Sequence, residues 1–143
     1  SLSVTMRKLS LTLLTCLLFL LPNVVLSETM NSLEIREGFY YKKFSDVPFS
    51  GEITGLSKGT FKNGKVDGTW IGYYDNGQLN YKTTFNKLKM EGISVHYHKN
   101  GQLWSRGNFK NGEREGAWVD YNKDGTAVKR LTGTFKDGKK ISD

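Results

Sequence analysis

The sequence predicts an all-β protein of consecutive β-hairpin repeats, forming an elongated single-layer antiparallel sheet preceded by a signal peptide. Three observations carry the prediction. A block recurs with a period of 24 residues, Asn-Gly and Asp-Gly punctuation separates short aromatic and β-branched stretches, and one aliphatic run is confined to the N-terminal segment.

The 143 residues leave room for one domain, and the 37% apolar content is that of a globular chain. That content is uneven: Leu9 to Leu26 is almost wholly aliphatic, whereas the remainder is polar, glycine-rich and aromatic. Met6, followed at once by Arg7 and Lys8, is the expected start, with residues 1–5 as upstream translated sequence or a cloning remnant. The basic pair leads into Leu9–Leu21, then Pro22 and the small-residue site Val25-Leu26-Ser27, so cleavage is expected after Ser27. Residues 1–27 are thus read as upstream residues plus signal peptide, and the mature chain as exported, periplasmic or extracellular.

A membrane anchor through residues 9–26 is the alternative, but a spanning helix needs roughly 20 apolar residues and this run is shorter. A lipid anchor on Cys16 is a third, from the lipobox-like Leu13-Leu14-Thr15-Cys16. Thr15 is a poor residue before that cysteine, and Leu17–Leu21 would be left as a greasy terminus. Cys16 is the sole cysteine, so the mature chain is expected to hold together without disulfides or thiolate metal sites. Losing residues 1–27 removes Arg7 and Lys8 and no acid, taking the formal charge from +7 to +5, which favours anionic surfaces.

The repeat is plain on self-comparison. Phe61-Lys62-Asn63-Gly64 recurs as Phe109-Lys110-Asn111-Gly112 and Phe135-Lys136-Asp137-Gly138, with a degraded copy at Phe85-Asn86-Lys87-Leu88. Gly68, Gly92 and Gly116, then Tyr73, Tyr97 and Tyr121, then Gly77, Gly101 and Gly125 keep the same spacing. Gly64, Gly68, Gly77, Gly92, Gly101, Gly112, Gly116, Gly125 and Gly138 are read as structural turn glycines, because Asn-Gly and Asp-Gly turns use positive φ. After Ser27 there is no sustained helical periodicity.

Asn76-Gly77-Gln78-Leu79, Asn100-Gly101-Gln102-Leu103 and the Phe-Lys-Asn-Gly blocks between them resemble the bacterial MORN-repeat variant found in YwqK-type proteins of toxin-antitoxin systems. The resemblance covers Gly51 to Asp143, with 56–143 as the repeat region. It implies a hairpin-repeat fold, association with membranes or with catalytic partners, and an antitoxin or immunity role. The sequence departs from the pattern at Leu88, where a turn glycine is expected, at Ser94, where Trp70 and Trp118 stand in their copies, and by two extra residues in the last unit.

Residues 28–55 are read as a lead-in ending in a capping repeat, Gly38 to Gly55, in which Phe44 and Gly51 reproduce the Phe61-to-Gly68 spacing. Pro48 with Lys42, Lys43 and Asp46 would discourage further strand pairing at that end.

Strand alternation assigns the two faces once the register is set. A three-residue loop, Asp75-Asn76-Gly77, puts Tyr73 opposite Leu79. Strict alternation then gathers Ile71, Tyr73, Leu79, Tyr81 and Phe85, followed by Ile93, Val95, Tyr97, Leu103, Phe109, Val119 and Tyr121, on one apolar side. The other side would carry Trp70, Tyr74, His96, His98, Trp104, Arg106 and Trp118, the candidate binding face. A two-residue loop would slip the pairing by one and exchange the faces. Trp and Tyr on a thin sheet also serve to cover backbone and pack across strands.

Chemistry-bearing groupings are sparse. His96 and His98 point the same way, but a zinc site wants more ligands than two histidines, so no metal or other cofactor is expected. Glu113, Glu115, Asp120 and Asp124 lie in turn-rich sequence without a matching nucleophile, and a single-layer sheet offers little concavity to exclude water; the chain is read as non-catalytic. Nucleic acid is disfavoured because the lysines are scattered rather than clustered. A protein partner is the leading expectation. The alternative is an anionic lipid or glycan surface met by Lys62, Lys65, Lys110, Lys136, Lys139 and Lys140 at the turns.

Overall fold

A computed structural model describes residues 27–143, so the segment read as signal, with Cys16, lies outside the described residues. After a single 3₁₀ turn at Met30–Ser32, β1 (Leu33–Arg36) and β2 (Phe39–Lys42) form a separate hairpin. The rest is one ten-stranded antiparallel meander: β3 (Gly51–Ile53), β4 (Ser57–Lys62), β5 (Lys65–Tyr73), β6 (Leu79–Asn86), β7 (Lys89–Met90), β8 (Gly92–Tyr97), β9 (Leu103–Lys110), β10 (Glu113–Asp120), β11 (Gly133–Lys136) and β12 (Lys139–Ser142). Both β7 and β8 pair with β6. Together they occupy the place that β5 and β10 fill unbroken in their own copies, the interruption falling at Glu91.

Two kinds of turn alternate along the meander. At Asn63-Gly64, Asn111-Gly112 and Asp137-Gly138 both residues have positive φ, the two-residue hairpin turn whose twist matches that of the strands it joins. At the other edge, Tyr74 N donates to Gln78 O at 2.8 Å and Gly77 N to Tyr74 O at 2.9 Å, closing the three-residue loop Asp75-Asn76-Gly77. Tyr73 consequently faces Leu79, as the sequence predicts.

One pair further on, the alternation breaks. Gly72 pairs with Tyr81, leaving Asn80 as the extra residue of a β-bulge; His96 pairs with Ser105, leaving Trp104 in the same position of the next copy. Each bulge turns the following residues over. Tyr81 and Phe85 therefore share a face with Trp70, since their partners are Gly72 and Gly68, while Ile71 faces Lys82 on the opposite side. The expected division of faces is corrected accordingly. One face is aromatic, carrying Phe61, Trp70, Tyr81, Phe85, Phe109, Trp118 and Phe135, and the other is β-branched, carrying Ile71, Ile93, Val95 and Val119.

The β1–β2 hairpin lies over the first part of the aromatic face. Leu33, Phe49, Ile53, Phe61 and Trp70 form the core there, with Met30, Tyr40, Val66, Tyr81 and Phe85 packed against it. Backbone bonds hold the hairpin down: Tyr40 N donates to Gly64 O at 2.8 Å, and Gly64 N to Phe49 O at 2.7 Å. It is Phe49, not Phe44, that packs on Phe61, with ring centroids 5.7 Å apart; Phe44 is fully exposed, so the spacing that equates it with Phe61 does not reflect equivalent positions. Glu28 bridges to Ile53 at the outer edge of β3 and pairs with Lys42 at 2.5 Å, which covers one end of the sheet.

Candidate functional site: the aromatic face of the middle repeat

Aromatic side chains on this face lie over glycines of the neighbouring strand. A Cβ on Gly59 would stand 2.4 Å from the Trp70 ring, and one on Gly107 would stand 2.0 Å from that of Trp118. Each indole meets a phenylalanine edge-on, Trp70 with Phe61 and Trp118 with Phe109, both with centroids 4.9 Å apart. Each donates its Nε1–H to a backbone carbonyl, Thr60 O at 3.2 Å and Asn108 O at 3.0 Å. A large ring therefore sits flat on bare backbone with its one polar atom satisfied.

Trp70 and Trp118 are consequently 5% and 3% exposed, and they build the sheet rather than offer a contact surface. This corrects the sequence expectation for both. Arg106 is corrected too: it pairs with Val95 and Val119, so it stands on the β-branched face. Tyr74 and His98 are tied between repeats. Tyr74 Oη donates to Tyr97 O at 2.7 Å, and His98 Nε2 makes the corresponding bond to Tyr121 O at 2.8 Å, one repeat later.

Of the seven predicted residues, the structure brings His96, His98 and Trp104 together at an accessible place. His98 stacks on the Trp104 ring at 5.8 Å, and His96 meets it edge-on at 5.6 Å. Trp104 remains 46% exposed because it occupies the bulge, where the previous copy has the polar Asn80. His96 also stacks on Tyr81 at 5.9 Å and shares a 3.2 Å hydrogen bond with Ser94. Burial holds the His96 imidazole below its ordinary pKa, opposed by the charge of Asp120, so the neutral ring is the resting form.

Two recesses flank His96. The first, of about 360 Å³, is bounded by Met30, Tyr40, Trp70, Tyr81, Thr83, Phe85 and Met90. The second, of about 170 Å³, is bounded by Trp104, Ser105, Phe109, Arg114, Trp118 and Asp120. Thr83 Oγ1 and Ser105 Oγ, one in each, are buried without a hydrogen-bond partner. Sequence reasoning noted Ser94 only as a departure from the repeat and missed Thr83 and Ser105. The available signal was the replacement of glycine and tryptophan by two small hydroxyl residues at matching positions of one copy.

Ser94, His96 and Asp120 are not a nucleophilic triad. Ser94 is wholly buried, and the Asp120 carboxylate is held by the two terminal guanidinium nitrogens of Arg114 at 3.0 and 3.2 Å. That guanidinium also lies over the Trp118 ring, 4.1 Å from its centroid, completing a well-packed end to the face. Of the turn lysines, Lys65 is spent on Gly38 O and on the Phe39 ring, and Lys140 on Lys129 O. Lys62, Lys110, Lys136 and Lys139 are exposed.

Two segments of the chain, residues 66–87 and 90–111, match the family model of the MORN repeat variant. They coincide with β5–β6 and with β7–β9 including their turns. The copy that follows keeps the same geometry beyond the matched segments, with Trp118 over Gly107 and a turn at Asp137-Gly138. No curated protein and no solved structure matches the chain significantly.

Proposed function

We propose that this chain is a non-catalytic binding module of the cell envelope, exported and cut after Ser27, that holds a protein partner on the open part of its aromatic face. Repeats of this type are generally non-catalytic and often serve in binding. The observation that carries the reading is Trp104, a large aromatic left 46% exposed, braced by two histidines and bounding one of the two recesses beside His96. Rigid, half-exposed tryptophans beside pockets are where interface energy concentrates.

The test is capture from a detergent-solubilised envelope extract by the full chain, by Trp104→Ala, and by Ile93→Ala on the opposite face. Specific proteins retained by the parent and by Ile93→Ala, and lost with Trp104→Ala, support the reading. Equal retention by all three overturns it. If the retained protein is a toxin, the module is an immunity protein.

A second reading, attachment to an anionic lipid or glycan surface, is favoured by one feature. The last turn places two exposed like charges opposite each other, Lys136 with Lys139, an arrangement that an external anion would relieve. Its mark is binding to anionic vesicles that weakens as salt rises; equal binding to neutral vesicles excludes it.

A further inference from the structure

The middle copy lacks the ring that its neighbours possess. Trp70 over Gly59 and Trp118 over Gly107 lie 48 residues apart, and midway between them the same two positions hold Ser94 and Thr83. Phe85, which occupies the place of Phe61 and Phe109, therefore lacks the edge-on indole of its own copy, and the space beside it is open as the 360 Å³ recess. Thr84 O is the repeat equivalent of the carbonyls that accept the Trp70 and Trp118 N–H groups. It already takes Glu91 N at 2.9 Å and, having two lone pairs, can accept a second donor as well.

We infer that the recess receives a tryptophan side chain from the protein partner, standing in for the indole this copy does not supply. The assignment rests on the partner-binding reading above and names what that partner presents. The recess demands a planar apolar ring, because Trp70, Tyr81 and Phe85 line it. It also calls for a polar edge, because the carbonyls that accept the indole N–H groups of the flanking copies have their counterpart here in Thr84 O. Thr83 fills the gap that glycine leaves in the other copies, so the incoming ring rides over that side chain instead of touching backbone. An indole meets both demands, its six-membered ring edge-on to Phe85 and its N–H directed at Thr84 O, the counterpart of Thr60 O and Asn108 O. A leucine or phenylalanine would bring no donor to that carbonyl.

The experiment uses the full chain with N-acetyl-tryptophanamide as probe and N-acetyl-leucinamide as control, binding being followed through the NMR signals of the Thr83 and Met90 methyl groups. The decisive variant is Thr83→Gly with Ser94→Trp, which rebuilds the internal pair of the flanking copies. We expect tryptophanamide to shift both methyl signals, the leucine analogue not to, and the double variant to melt higher and bind the probe about tenfold more weakly or worse. Ser94→Ala, which keeps the recess open, should retain binding. Absence of a tryptophan-specific shift, or undiminished binding by the double variant, overturns the inference. Partner capture that survives in the double variant but fails with Trp104→Ala would likewise sink the tryptophan assignment while leaving the binding module standing.

Discussion

The ring of Trp118 rests on Gly107, so close that a Cβ on that glycine would stand 2.0 Å from it. Gly107→Ala is expected to destabilise the protein by about 1–3 kcal/mol through overpacking. In a Trp118→Ala background the same change should cost far less, because the ring that clashes is gone. A double-mutant cycle by denaturant unfolding checks this; additivity of the two changes would show that they do not share the contact.

The three tryptophans should separate cleanly by stability. Trp70→Ala and Trp118→Ala each remove a buried ring and are expected to cost about 3–5 kcal/mol. Trp104→Ala, at 46% exposure, should cost under about 1 kcal/mol. Thermal melts of the three variants decide it, and a comparable loss for Trp104 would place that residue in the fold rather than at the contact surface.

Leu88 sits at φ +68 where the other turns have glycine. A side chain in that region is strained, so Leu88→Gly should raise stability by about 1 kcal/mol. The gain should appear as a higher urea midpoint with an unchanged slope.

His96 gives the fold a pH dependence with a definite sign. Burial lowers its pKa in the folded state from the ordinary 6.5, so below that value the unfolded chain takes up a proton more readily than the folded one. Its contribution is fully present above about pH 6.5 and is lost as pH falls toward the folded value. His96→Gln should flatten the stability profile between neutral pH and pH 5. If parent and variant profiles coincide in that range, the ring is not held neutral by its surroundings.

The repeat, the antiparallel hairpins, the three-residue loop and the Tyr73–Leu79 register are all legible in the sequence, because turn chemistry is local and recurs. The faces are not. A bulge at Asn80 and another at Trp104 turn over every later residue of the strand, and neither is marked by a glycine or proline. Strict alternation accordingly set Tyr81 and Phe85 apart from Trp70, with which they pack. Gly59, Gly72 and Gly107 escaped notice for a related reason. Their role is to leave room for a ring on the next strand, and only the pairing reveals which ring.

The bonds from Tyr74 to Tyr97 and from His98 to Tyr121 join each hairpin only to the next. The apolar cluster that could lock several strands at once, built on Phe61 and Trp70, lies at the β3–β5 end. Resistance to opening is therefore graded along the meander, because a strand in such an array is held by its immediate neighbours. Amide protons of β11 and β12 should exchange with solvent first and those of β4 and β5 last, so that the sheet peels from its C-terminal edge like a zipper with one sewn end.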